Sequence, residues 1–298
     1  MNKDIVIGTR GSKLALWQAK NLQKTLSAIS VGSQLNIIKT KGDKIQDLSF
    51  DKLEGKGFFT KEIEDALLDG TADIAVHSLK DLPTSSPEGL ALAGLSQRED
   101  PADLLIIRKD ISDASSPIFL KKGAIVGTSS IRRKTQIKDL APFVEVKDLR
   151  GNVPTRIAKL AEHNYDAIIL AHAGINRLAI DLSAFNTKRL NPEEFVPAPA
   201  QGVIAYQTRK DDIPTRKLLS QIHNKETAKA TNVERKVLQL MDGGCQMPLG
   251  VYCTIDQSGN YHAMAAYAKE GSSQVIRARI SQSTSLHLAE RLVEKLIS

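Results

Sequence analysis

The stretch IVIGTRGSKLALWQA, residues 5–19, carries the signals of a strand, a turn and a helix in succession. Its first residues are apolar and mostly β-branched, which favours a buried strand. Ser12 is a residue type that caps helix N-termini, and Ala15, Ala19 and Leu22 then recur at the spacing of one helical face. A strand that turns directly into a helix is the opening unit of an α/β fold.

The same succession recurs along the chain. Further strands are predicted at 35–38, 72–76, 124–127 and 167–170, and helices at 58–68 and directly after 130 and 174. Strands that alternate with helices predict parallel sheets with helices on both faces.

The last part of the chain has a different pattern, because its strands follow one another. Strand-like runs lie at 251–255, 261–266 and 275–280, after a helix-rich stretch at 215–241. Leu288, Leu292 and Leu296 then recur at the spacing of a final amphipathic helix. Grouped strands flanked by helices predict a small α+β domain that starts near residue 220.

The chain is basic, with a formal net charge of +7 over 298 residues and a sequence pI of about 9.3. A basic balance favours anionic partners. Aromatic residues make up only 4% of the chain and are not interleaved with lysine or arginine, as they are in proteins that bind single-stranded nucleic acid. A small carboxylate or phosphate ligand explains the excess charge at least as well as DNA does.

Cysteine and histidine usage argues against a disulfide framework and a structural zinc site. The two cysteines form no CxxC pair, and the six histidines show no paired-ligand spacing. No bound metal is expected. The N-terminus leads directly into a strand-like run, and no apolar run is long enough to span a bilayer. The sequence therefore predicts a cytoplasmic protein.

Arginines recur where predicted strands turn into helices. They are Arg10, Arg132, Arg133, Arg150, Arg156 and Arg177. Ligands of open α/β sheets bind beyond the carboxyl ends of the strands, and arginine takes carboxylates in a bidentate manner. A solvated surface position is the simpler explanation for any one of them, but the group as a whole indicates a polycarboxylate site.

Two further segments carry possible chemistry. Lys80 and Asp81 follow the strand ADIAVH, where the carboxylate could act in proton transfer or stabilise a developing cation, or simply form a helix cap or an ion pair. The polar stretch 42–57 is long for a connection and could be a flexible lid or a plain solvated loop. No nucleotide P-loop and no GxGxxG motif is present.

The segment ERKVLQLMDGGCQMPLG, residues 234–250, runs from a helix into a glycine turn that presents Cys245. Glycine tolerates the positive φ at which helices end, so the thiol follows the helix end at once, with small neighbours. This geometry suits covalent attachment of a bulky group. The alternative is a buried cysteine that acts as a small hydrophobe.

Nine segments, in order, resemble the motifs of the porphobilinogen deaminase family. They are IGTRGSKLALWQA, GKGFFTKE, ADIAVHSLKDLPT, REDPADLL, IVGTSSIRRKTQ, LRGNVPTR, YDAIILAHAG, PAPAQG and ERKVLQLMDGGCQMPLG. The resemblance covers the whole chain. Ala200, where glycine is expected, and His172, where a smaller residue is expected, depart from the pattern.

The resemblance implies an α/β protein with two periplasmic-binding-protein-like (type II) domains, which have mixed, mostly parallel sheets, and a small C-terminal α+β domain. The polar stretch 96–101 and the proline-rich stretch 195–199 would then be crossings between domains. The predicted division is 1–97 with 199–218 for domain 1, 98–198 for domain 2 and 219–298 for domain 3. The implied protein is a monomeric transferase that joins four porphobilinogen molecules, with loss of ammonia, and releases hydroxymethylbilane for haem biosynthesis.

The resemblance also implies a role for individual residues. Cys245 would hold a dipyrromethane cofactor through a thioether, and Asp81 would be the catalytic carboxylate and would contact the pyrrole nitrogens. Cofactor contacts would come from Lys80, Asp81, Ser129, Arg132, Arg133, Gly151 and Arg156. Substrate contacts would come from Arg10, Ser12, Arg150, Arg156, Arg177 and Gln201. The lid would include Lys52, Lys56 and Phe59.

Two other classes of protein remain as alternatives. A solute-binding protein shares the two-domain part of the implied fold, but it would need neither the Cys245 turn nor the extra C-terminal domain. A nucleic-acid-binding protein would fit the charge of +7 and would bind DNA with a steep dependence on salt. No nucleic acid and no membrane is expected as a partner.

We expect Cys245, and not Cys253, to carry the cofactor, because Cys245 lies on the glycine turn and Cys253 lies in a predicted strand. Peptide mapping by mass spectrometry should find an adduct of two pyrrole rings on the fragment that contains Cys245. Active protein with an unmodified Cys245 would contradict this assignment.

Overall fold

The computed structural model describes residues 4–40, 60–242, 247–269 and 274–298. The predicted lid at 42–57, with Lys52 and Lys56, lies outside these ranges, and so do Phe59 and Cys245. The predictions for these residues therefore stay predictions. No helix in the described ranges is both long and apolar enough to cross a lipid bilayer.

The described strands and helices follow the alternation that the sequence predicts. The strands are β1 Ile5–Arg10, β2 Ser33–Ile38, β3 Ile74–Ser78, β4 Leu90–Leu95, β5 Asp103–Arg108, β6 Ile125–Gly127, β7 Glu145–Lys147, β8 Ala167–Ala171, β9 Phe185–Arg189, β10 Ile204–Arg209, β11 Leu249–Ile255, β12 Tyr261–Ala268 and β13 Val275–Gln282. The helices are α1 Lys13–Ala28, α2 Lys61–Leu68, α3 Ile131–Leu140, α4 Val153–Ala161, α5 His172–Leu178, α6 Ile213–Gln221, α7 Lys225–Leu240 and α8 Leu288–Ile297.

The chain forms two compact units. The first comprises Met1–Glu99 and Gly202–Ala228, and the second comprises Asp100–Gln201 and Lys229–Ser298. The chain thus leaves the first unit within the predicted crossing at 96–101 and re-enters it just after the predicted crossing at 195–199. The division into three domains stays a prediction.

The first unit is built on a five-stranded sheet in the order β2-β1-β3-β10-β4. Strand β1 is parallel to β2 and β3, whereas β10 is antiparallel to both of its neighbours. On one face Ile7 and Ile74 pack against Leu22 and Leu26 of α1. On the other face α2 covers the sheet, so apolar surface is removed from water on both sides.

The second unit contains a sheet of the same design, in the order β7-β6-β8-β5-β9. Here β6 is parallel to β7 and β8, and β5 is antiparallel to both of its neighbours. The antiparallel strand of each sheet, β5 or β10, is the first strand after the chain crosses into that unit from the other one. This topology is that of a type II periplasmic-binding-protein-like domain, and it confirms the predicted mixed, mostly parallel sheets.

The second unit also holds the C-terminal α+β part, which is built on the antiparallel sheet β11-β12-β13. Leu288, Leu292 and Leu296 of α8 are fully buried against one face of this sheet, as their spacing predicts. Met264 and Val275 lie on the other face, where they pack with Val196. Both faces of this small sheet are therefore covered.

Hydrogen bonds hold the segment that follows Val196 against β11 and α7. The Val251 amide donates to the Pro197 carbonyl (3.0 Å). The buried Glu234 carboxylate accepts from the Ala200 amide (2.6 Å) and the Cys253 amide (2.8 Å). Ala200 has φ +63°, a left-handed conformation, which explains why the family pattern has glycine there.

Gly250 is expected to be intolerant of a side chain, because a Cβ atom there would lie 2.4 Å from the Val196 carbonyl oxygen. Gly250→Ala should lower the free energy of unfolding by about 1–3 kcal/mol through overpacking. Gly11→Ala is the control, since the atom nearest to its Cβ would lie at 3.6 Å. Urea unfolding compares the two variants, and equal stability would contradict the close packing of β11 on this segment.

Candidate functional site

The first group of predicted site residues lies at one edge of the first sheet. Strands β1 and β3 are parallel neighbours, so their carboxyl ends meet at the same edge. Arg10 ends β1, and β3 runs into a 3₁₀ turn at Leu79–Asp81. Leu79 is fully buried and its amide donates to the Val203 carbonyl (2.9 Å), which anchors the turn. Asp81, at the end of the turn, is exposed.

Helix α1 begins at this edge and is tied to the end of β3 by a side-chain hydrogen bond. The Ser12 hydroxyl accepts a hydrogen bond from the Ala15 amide (3.3 Å), so the predicted N-cap is confirmed. The buried Gln18 side chain donates to the Ser78 hydroxyl (3.0 Å), at the last residue of β3. The elements that carry Arg10 and Asp81 are thus fixed to each other within the first unit.

A buried polar group that the sequence did not reveal lies behind this edge. His77 is 5% exposed and, within the described part of the chain, its Nε2 atom has no hydrogen-bond partner. Burial lowers the pKa of His77 to about 4, the neighbouring Gln207 opposes that shift, and the positive charge of Arg10 adds to it. Gln207 in turn donates to the Glu64 carboxylate (3.0 Å). The imidazole is therefore neutral near neutral pH.

The second group lies at the corresponding edge of the second sheet. Because β6, β7 and β8 are parallel, the residues that follow them come together at their carboxyl ends. Strand β6 is followed by Ser129, Arg132 and Arg133, and β7 is followed by Arg150 and Gly151. After β8, helix α5 carries the buried Arg177.

Asp103, the first residue of β5, organises this group. Its carboxylate is fully buried and accepts from Arg132 Nη1 (2.8 Å), from Arg133 Nη2 (2.8 Å) and from Gln201 Nε2 (3.0 Å). Burial alone would raise the pKa of Asp103, but the two guanidinium groups outweigh that effect and hold the pKa well below its usual range. Asp103 is therefore ionised. It was not among the predicted site residues.

Arg132 and Arg133 are largely enclosed, at 4% and 6% exposure. Arg132 also donates to the Val196 carbonyl (2.9 Å), and Arg133 donates to the Ile169 carbonyl (3.0 Å). Part of each guanidinium is therefore occupied by the protein itself. Their predicted contact with a ligand, and that of Gln201, stay predictions.

Arg156 carries positive charge that the neighbouring side chains do not offset. Its Nε donates to the Gly151 carbonyl (2.7 Å), and among the described residues no carboxylate lies within ion-pair distance. Burial, together with the charges of Arg133 and Arg150, lowers the pKa of Arg156 to about 10. A cluster of like charges, in which Arg132 and Arg133 share the buried Asp103 as counter-ion, suits a ligand with several carboxylates.

Gly151 itself requires glycine. Its φ is +113°, and a Cβ atom would lie 2.7 Å from the Thr155 methyl group. A side chain would not fit at this position, and the predicted contact of Gly151 with the cofactor stays a prediction.

The structure thus assembles the predicted residues in two groups, one in each unit. Arg10, Ser12, Lys80 and Asp81 belong to the first, and the remaining described ones belong to the second. Asp103 and His77 are the additions. A charged residue beside a continuous apolar run was the available signal for Asp103.

Comparisons with known proteins identify what this chain is similar to. A family model described as "Porphobilinogen deaminase, dipyromethane cofactor binding domain" matches residues 5–217. A porphobilinogen deaminase of Trichlorobacter lovleyi is 42% identical over 99% of this chain and 94% of that protein. One of Syntrophobacter fumaroxidans is 46% identical over 83% of this chain and 78% of that protein. Among solved structures, the periplasmic VFT2 domain of Bordetella pertussis BvgS aligns with a TM-score of 0.43 at 14% identity, over 75% of this chain and 90% of that one.

The neutral state of His77 predicts a pH dependence of stability. The unfolded chain takes up a proton below pH 6.5, whereas folded His77 does so only near pH 4. Folding therefore loses stability as the pH falls through this window. His77→Gln should remove a loss on the order of 3 kcal/mol between pH 7 and 4. Unfolding curves at several pH values test this, with the exposed His163→Gln as control. Equal pH slopes for wild type and His77→Gln would contradict it.

Proposed function

Since the chain belongs to the porphobilinogen deaminase family, we propose that it joins four porphobilinogen molecules head to tail. One ammonia is lost at each addition, and water finally releases the linear product, hydroxymethylbilane. Membership makes the protein a transferase of porphyrin biosynthesis that uses a dipyrromethane cofactor. The observation that best supports the detailed proposal is the arginine cluster in the second unit, whose charge Asp103 only partly offsets.

The charge of the substrate explains the need for this cluster. Porphobilinogen carries an acetate and a propionate, so each added ring brings two negative charges. A guanidinium takes a carboxylate through two parallel hydrogen bonds and stays charged near neutral pH. We assign Arg150 and Arg156 to these carboxylates, because Arg156 has no carboxylate partner within the described residues and Arg150 lies close enough to shift its pKa. Arg10, Ser12, Arg177 and Gln201 complete the proposed substrate contacts.

The same cluster fits the cofactor, which carries carboxylates of the same kind. The residues proposed to hold it are Lys80, Asp81, Ser129, Arg132, Arg133, Gly151 and Arg156. Cys245, outside the described residues, is the proposed point of attachment. When bound, the cofactor supplies a covalently held pyrrole whose free α-carbon is the nucleophile for the first addition.

Asp81 is the proposed catalytic carboxylate. Loss of ammonia from the aminomethyl group of porphobilinogen leaves a cationic pyrrole, which a nearby carboxylate stabilises more than it stabilises the neutral substrate. Asp81 is exposed at the carboxyl end of β3, and the buried His77 in the same strand is neutral, so it contributes no competing charge. The expectations of a monomer and of a cytoplasmic location are retained as parts of the proposal.

Asp81→Asn tests this role, because it keeps the shape of the side chain and removes its charge. We expect the rate of hydroxymethylbilane formation to fall by about 100-fold or more. Asp81→Glu, which keeps the charge but moves it by one methylene group, should retain weak activity. Intact-protein mass spectrometry establishes that each variant carries the cofactor. A cofactor-loaded Asp81→Asn variant with near wild-type turnover would refute the assignment.

A further inference from the structure

The segment 148–151, which joins β7 to α4, is held by side chains along its whole length. It has no regular secondary structure, yet each of its carbonyl oxygens accepts a hydrogen bond from one side chain. In chain order the donors are the hydroxyl groups of Tyr165 and Ser129, the ammonium of Lys159 and the guanidinium of Arg156. This segment carries Arg150 and Gly151, two of the proposed ligand residues.

The four donors come from separate parts of the second unit. Ser129 follows β6 and also accepts from the Leu149 amide, with both of its hydrogen bonds at 3.0 Å. Lys159 and Arg156 project from α4 and reach the carbonyls of Arg150 (3.3 Å) and Gly151 (2.7 Å). Because the donors lie in three places, the turn after β6, helix α4 and the segment before β8, the backbone that carries Arg150 is fixed from several directions.

Tyr165 supplies the first of these hydrogen bonds, and its ring lies against Gly127, which has no side chain. Its ring occupies the space above Gly127, where a Cβ atom would come within 2.7 Å of ring carbon Cδ1. The ring also packs with Leu149 and Leu160 in the apolar core on this face of the sheet. Because Gly127 has no side chain, the Tyr165 ring fits at this position and its hydroxyl reaches the Asp148 carbonyl.

The electrostatic surroundings of Tyr165 keep it a donor. Burial raises the pKa of its hydroxyl, Asp148 raises it further, and Arg156 opposes the shift. The hydroxyl thus stays protonated well above neutral pH. The interaction with Arg156 also means that the phenol and that guanidinium lie near each other.

We propose that Tyr165 is a positioning residue for the anion-binding arginines: through the Asp148 carbonyl it fixes the segment 148–151, and so holds Arg150 in one geometry toward a substrate carboxylate. This inference rests on the proposed function. A bidentate contact needs the guanidinium plane in one orientation, so a backbone that is already fixed lowers the entropic cost of binding. Ser129, whose hydroxyl is engaged with Leu149, acts in the same way.

Tyr165→Phe removes the hydroxyl and keeps the ring. The KM for porphobilinogen should rise by about three- to tenfold, the effect of one lost hydrogen bond, while kcat stays within about twofold. The intact mass should still include the dipyrromethane adduct. Tyr261→Phe, in the C-terminal sheet, is the matched control and should leave KM unchanged. An unchanged KM in Tyr165→Phe would overturn the proposal.

A double-mutant cycle separates positioning from a general loss of structure. In an Arg150→Leu background the Tyr165→Phe change should have little further effect on KM, because the group that it positions is gone. An equal factor in both backgrounds would show that Tyr165 does not act through Arg150. If Arg150→Leu alone changes neither KM nor the adduct, the proposed substrate role of Arg150 fails, which is a separate outcome.

A second variant keeps the test valid if Tyr165→Phe does not fold. Lys159→Met removes the hydrogen bond to the Arg150 carbonyl and keeps a side chain of similar length. The same selective rise in KM is expected, with a melting temperature near that of the wild type. A folded Lys159→Met variant with wild-type KM would count against the fixed segment.

Discussion

The buried carboxylate of Asp103 is the constraint on which the second unit depends. One negative charge, fully removed from water, is shared by two arginines and one glutamine. A buried charge is tolerated only when its partners and hydrogen bonds are complete, and removing one partner typically costs about 3–5 kcal/mol. Arg132, Arg133 and Gln201 are therefore coupled through the Asp103 carboxylate, so that a substitution at one of them alters the interactions of the others.

The side chains around Asp103 also hold the backbone of the segment between Val196 and Gln201. Arg132 donates to the Val196 carbonyl, and Gln136 both donates to that carbonyl and accepts from the Val196 amide. Gln201, at the end of the same segment, is held by Asp103. The segment between these two residues, which leads back to the first unit, is therefore fixed by the same groups that set the electrostatics beyond β6. Arg150 and Arg156 are not among the residues that bond the Asp103 carboxylate, and their contact with a ligand stays a proposal.

Local signals made much of the fold predictable. The N-cap at Ser12, the apolar face of α1 and the i+4 leucines of α8 are each determined by residues within a few positions of one another, and the structure has all three. Strands β4, β5, β7, β9 and β10 were not predicted as strands. The reversed direction of β5 and β10 depends on where the chain crosses from one unit to the other, and no short window of sequence contains that information.

The candidate site, too, was predictable only where the signal lay within a short stretch of sequence. Glycine and arginine at strand ends were visible in the sequence, but the central role of Asp103 was not, since its contacts join residues 29, 30 and 98 positions apart. Ser129 gives a second example. The family resemblance implies a cofactor contact for it, which stays a prediction, and the structure adds hydrogen bonds between its hydroxyl and a backbone 20 positions away. Residue type and spacing identify which groups stand at a sheet edge. Which of these groups hold their neighbours in place is decided by tertiary contacts. In the second unit the Asp103 carboxylate and the hydroxyl groups of Ser129 and Tyr165 form such contacts.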